Sequence, residues 1–126
     1  MGWLLTIDQY FEVFVESIYD TVIQALALNP ARKFISVEMA FFAKWWAIAD
    51  LTQRLTAHKV TRFVLLVIVI TLTIVVQLVK NGQLEFIVGG WTMEDEACTT
   101  YGANIDQMTE GHQFIVSTFG EEAAPK

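Results

Sequence analysis

FVLLVIVITLTIVVQLV, residues Phe63 to Val79, runs for seventeen residues without a charge between Arg62 and Lys80. At roughly 1.5 Å per residue a helix of this length covers about 25 Å. Val60, Thr61 and the stems of Arg62 and Lys80 extend that reach toward the ~30 Å of a bilayer's hydrocarbon core. Eleven of the seventeen are Val, Ile or Thr, which in water would favour a strand, yet strands usually run only about five or six residues. In lipid an isolated apolar segment must be helical to satisfy its own backbone. A core helix of a globular domain would show a polar face, and this run offers only Thr71, Thr73 and Gln77. The expectation is a transmembrane helix over residues 60–80.

Charge gives that helix a direction. Arg32, Lys33, Lys44, Arg54, Lys59 and Arg62 precede the run, whereas the residues from Asn81 onward carry eight acidic groups and one basic group, Lys126. Basic flanks mark the cytoplasmic side and acidic residues count for little. The N-terminal half is therefore expected on the cytoplasmic or matrix side of a bacterial or organellar inner membrane, with the C-terminus outside. The first residues lack the basic n-region of a cleavable signal. Cys98 is the only cysteine, so an intrachain disulfide and a multi-cysteine metal cage are both excluded.

Upstream, residues 1–29 read as an amphipathic helix. Asp8, Glu12, Glu16 and Asp20 recur every fourth residue and form one acidic column, which needs either water or a basic partner. Asn29-Pro30 ends this helix and starts the next. Residues 30–59 read as a second, aromatic-rich helix, in which Trp45 and Trp46 either lie at headgroup level or anchor the two helices together. Downstream, residues 81–126 form an acidic tail. Leu84–Val88 and Gln113–Phe119 are strand-like and suit a β-hairpin. The expected fold class is a mostly α membrane protein: an interfacial helical hairpin, a single transmembrane helix and a short, partly irregular tail.

Recognisable chemistry is sparse. Neither G-x-x-x-x-G-K-[ST] nor G-x-G-x-x-G occurs, and Gly89-Gly90 reads as a flexible pair. His58 and His112 form no triad with Cys98. Glu94, Asp95, Glu96, Asp106 and Glu110 are acidic enough to attract Ca²⁺ but lack an EF-hand rhythm. Basic residues are too few for nucleic-acid binding. Thr73 and Gln77 share a helix face and suit hydrogen bonding to a neighbouring helix. No enzyme activity, cofactor or metal is expected. The leading reading is a non-catalytic accessory or structural subunit of a larger membrane assembly. In it, Asp8, Glu12, Glu16, Asp20, Trp45 and Trp46 contact partner subunits, Arg62 and Lys80 flank the bilayer, and hetero-oligomers are favoured over homo-oligomers. The alternative is a small homo-oligomeric channel or holin-like pore.

Overall fold

A computed structural model describes residues 4–48, 62–94 and 99–125, with backbone alone for 62–68. The first helical rod, α1, opens on a capping box. The Gln9 amide donates to Thr6 Oγ1 at 3.2 Å and the Thr6 amide to Gln9 Oε1 at 2.9 Å, so two orphan donors of the first turn are satisfied reciprocally. The rod comprises Ile7–Tyr10, a π-helical turn Phe11–Val15, and Glu16–Leu28. Phe11 is fully buried at the wide turn, where one extra residue re-aims the helix face. Asn29 stops the rod in an extended conformation, and its Oδ1 accepts the Ala31 amide at 2.9 Å across Pro30.

Strand β1, Phe34–Glu38, follows, and residues 39–48 are helical (α2). Helix α3 is Arg62–Lys80, strand β2 is Leu84–Gly90, helix α4 is Tyr101–Phe119, and a short 3₁₀ turn spans Glu121–Ala123. The two strands are parallel, with Phe34 beside Leu84, Ser36 beside Phe86 and, after a register shift, Glu38 beside Gly90. Parallel neighbours need a crossover long enough to return the chain to the same end, and α2 and α3 lie within that crossover.

The inward side of the pair is built by alternation. Ser36, Leu84 and Phe86 are buried while Ile35, Glu85 and Ile87 face out. Lys33 meets Glu85 at 3.8 Å on the exposed side, a geometry worth little in water. Phe42 of α2 occupies the centre of the core. Its ring lies 5.3 Å from Phe86, 5.4 Å from Tyr19, 5.9 Å from Trp45 and 6.0 Å from Phe119, at separations where tilted and edge-on aromatic contacts are favourable. Tyr19 and Ser36 share a buried hydroxyl contact at 3.4 Å. Burial raises the Tyr19 phenol, and the Ser36 bond opposes that rise.

These elements overturn the expected fold class, which becomes a mixed helix and parallel-sheet arrangement. Among the described residues no helix is long and apolar enough to cross a membrane. The apolar run is helical, but Val75 and Leu78 are buried in the same cluster as Ile23, Leu26 and Leu84, so protein covers part of the face assigned to lipid. Residues 34–38, expected within the second helix, pair as a strand. Residues 113–119, expected as a hairpin arm, are helical, and the partner of β2 is β1.

Candidate functional site

In open α/β sheets ligands bind beyond the carboxyl ends of the strands, so the ends of β1 and β2 define the candidate site. β2 finishes with two residues in the left-handed region, Val88 at φ 63° and Gly89 at φ 70°. For a β-branched residue such as valine this conformation is strained. Such strain persists only where surrounding contacts impose it, and it concentrates at functional sites. Here His112 Nε2 lies 2.8 Å from the Val88 carbonyl oxygen. A carbonyl only accepts, so Nε2 carries the proton and, in the neutral ring, Nδ1 is left as an acceptor.

The backbone following β2 is held from two sides. The Ala40 amide, in the first turn of α2, donates to the Trp91 carbonyl at 2.8 Å, and the Trp91 amide donates to the Gln107 carbonyl at 3.0 Å. That second bond requires an unobstructed helix surface. A Cβ on Gly111 would stand 2.1 Å from the Gly89 oxygen and 2.6 Å from the Trp91 nitrogen. The Gln107 side chain continues the clamp, accepting from the Thr92 amide at 3.1 Å and donating to Glu94 Oε1 at 2.9 Å. A Cβ on Gly90 would meet Gln107 Oε1 at 2.5 Å and displace it from the clamp, while Gly89 is favoured by its φ of 70°.

Glu38 ends β1 beside Gly90. Its half-buried carboxyl is raised above its ordinary value by burial and lowered by the Met93 backbone amide that donates to it. Glu38 and Gln107 together hold the segment Trp91–Glu94 over the end of the strand pair. Glu94 also borders an open groove of about 430 Å³ on α4, whose walls include Tyr101, Asn104, Ile105, Met108 and His112.

The residues singled out from sequence fall elsewhere. Asp8 pairs with Lys44 of α2, and Asp20 accepts from Trp45 Nε1 at 2.9 Å. Glu12 is exposed and Glu16 half-buried. Trp45 is buried in the core, and Trp46 stacks on Phe42 with 22° between the planes. Thr73 Oγ1 donates to the Val69 carbonyl of its own helix at 2.7 Å, and Gln77 Nε2 donates to Asn81 Oδ1 at 2.8 Å. Lys80 is exposed at the end of α3, and only the backbone of Arg62 is described. His58, Asp95, Glu96 and Cys98 lie outside the described residues. Among the described residues no three His, Cys, Asp or Glu side chains are grouped so as to hold a metal ion. Glu38, Gly90, Trp91, Gln107 and Gly111 were missed. Their one signal was a glycine pair followed by tryptophan at the end of a hydrophobic run.

The sequence matches a known class of enzymes. Residues 1–64 and 71–126 match the family described as the glycosyl hydrolases family 38 N-terminal domain, and the chain belongs to that family. It is similar to the lysosomal alpha-mannosidase of Bos taurus, with 44% identity over 134 aligned residues that take in the whole chain and 12% of that protein. The lysosomal alpha-mannosidases of Homo sapiens and Dictyostelium discoideum are each 42% identical to it, over 100% and 95% of the chain. The chain spans about 12% of the length of the mammalian relatives.

Family membership overturns the reading as a non-catalytic membrane subunit and the alternative of a pore, because the family is one of glycosidases. The expectation of no enzyme is corrected in the same way. The inner-membrane location falls too: the relatives are named as lysosomal enzymes, and the single-pass description has no spanning helix among the described residues. Six residues, 65–70, lie outside the family match, and they fall in the first half of the run on which the membrane reading rested.

Proposed function

We propose that the chain is part of an α-mannosidase, a glycosidase that hydrolyses α-linked mannosides, acting in a lysosome-like compartment. The observation that carries this reading is the 44% identity across the whole chain to a lysosomal alpha-mannosidase. Glycoside hydrolysis needs a carboxyl pair set around the scissile bond and side chains that orient the sugar. The strand ends described above supply one ordered edge for such a site. Glu38 and Gln107 fix the segment Trp91–Glu94 at that edge, and the strained Val88-Gly89 corner sets its direction. No catalytic step is assigned to these residues.

The test is hydrolysis. Purified as expressed in its source, the protein should release the chromophore from an aryl α-mannoside far faster than from the matching α-glucoside. Equal rates on the two, or no release from the mannoside, would overturn the reading.

A further inference from the structure

The groove beside Glu94 brings apolar and hydrogen-bonding side chains together at the surface. Tyr101, Ile105, Met108 and His112 fall on one face of α4 by their spacing, and all four line it. Tyr101 is 80% exposed and Ile105 47% exposed, so an apolar floor with an aromatic face is open to solvent. Hydrogen-bonding groups ring that floor. Glu94 arrives from the segment after β2 with its carboxylate already held by Gln107 Nε2. Asn104 brings an amide from the first turn of α4, and His112 keeps Nδ1 as its acceptor because Nε2 is committed to Val88.

A hexose has matching chemistry. One face of its ring presents C–H groups that suit an aromatic surface, and its rim presents hydroxyls that need a carboxylate, an amide and a ring nitrogen. Ligand sites commonly combine an apolar lining with a few fixed polar groups within about 300–1,000 Å³, and this groove measures about 430 Å³. A carboxylate fixed in advance loses less freedom when it binds a ligand.

We propose that this groove binds a hexose unit of an oligosaccharide, with Tyr101 under the ring and Glu94, Asn104 and His112 on its hydroxyls. The identity of the sugar as mannose rests on the α-mannosidase reading; the groove itself does not.

The probe is a thio-linked mannobioside, whose sulfur bridge resists glycosidases, titrated into the full protein by calorimetry. Y101A and E94Q should each weaken binding about 10-fold, and Y101F should stay within about 2-fold of the parent. Both positions are at the surface, and melting temperatures report whether each variant is folded. If the protein fails to cleave aryl α-mannosides but binds the probe with this pattern, the activity reading falls and the groove stands. If cleavage is present and probe affinity is unchanged in folded Y101A and E94Q, the groove falls and the activity reading stands. Absence of any probe binding overturns the groove. So does a drop in melting temperature with unchanged affinity, which would mean that protein, not sugar, covers Tyr101.

Discussion

Gly111 and Gly89 approach so closely that a single methyl group on Gly111 would stand 2.1 Å from the Gly89 carbonyl oxygen. Helix α4 and strand β2 are thus in backbone contact, and every hydrogen bond from Gln107 to the segment after β2 depends on it. G111A should therefore destabilise the fold by about 3 kcal/mol or more, because the clash is with backbone that cannot rotate away. Urea unfolding followed by circular dichroism would measure this. A loss of under 1 kcal/mol would show that the contact is looser than described.

Val88 offers the opposite outcome. Its side chain is half exposed and its φ is 63°, so replacement forfeits little packing. Asparagine tolerates the left-handed region much better than a β-branched residue. V88N should raise stability by about 0.5–1 kcal/mol, read as a higher melting temperature. A lower one would mean that contacts of the Val88 methyls outweigh the backbone strain.

For Gln107, truncation to alanine removes an acceptor from the Thr92 amide and a donor from Glu94. We expect a loss of about 1–2 kcal/mol. The Thr92 amide should also exchange with solvent at least several-fold faster, measured by hydrogen–deuterium exchange. Unchanged exchange at Thr92 would count against the clamp.

pH dependence isolates Glu38. Burial, the larger influence, raises its carboxyl above the ordinary 4.5, while the Met93 amide works against that rise. A raised carboxyl means that the folded protein holds the proton more tightly than the unfolded chain does. Its stabilising contribution is complete below about 4.5 and is lost as pH climbs through the folded value. E38Q does not titrate there, so the stability of wild type relative to E38Q should fall as pH rises from 4.5. A constant difference across that window would exclude the assignment.

The helix of residues 62–80 was readable from sequence, because nothing between Arg62 and Lys80 interrupts it. Its surroundings were not. A uniformly apolar helix reads alike whether lipid or protein covers it, and only the burial of Val75 and Leu78 decides between them. Phe34–Glu38 was hidden for a related reason. Its buried position is the polar Ser36 and its exposed one the apolar Ile35, so the sequence shows no apolar-in, polar-out alternation, and no glycine separates this strand from α2. Gln113–Phe119 carries the β-branched residues Ile115, Val116 and Thr118, yet Gly111 and the full burial of Ile115 bind it to β2 as a helix. Local preference yields to tertiary packing in such cases. Gln107 belongs to no motif, and its importance comes from what the fold places opposite it.

Gln83, finally, fastens the end of the crossover to the segment that leads into β1. Its buried amide nitrogen lies 3.2 Å from the Leu26 carbonyl, 3.3 Å from that of Asn29 and 3.4 Å from that of Arg32. The end of α1 and the approach to β1 thus take a donor from a residue more than fifty positions later. The Leu26 and Asn29 carbonyls also accept from the Asn29 and Arg32 amides, so Gln83 adds a second donor there, while among the described residues β1 pairs only with β2. Strand β1 is complete only when β2 arrives, which couples the end of α1 to β2. A polypeptide released after Lys80 would lack the strand partner of β1.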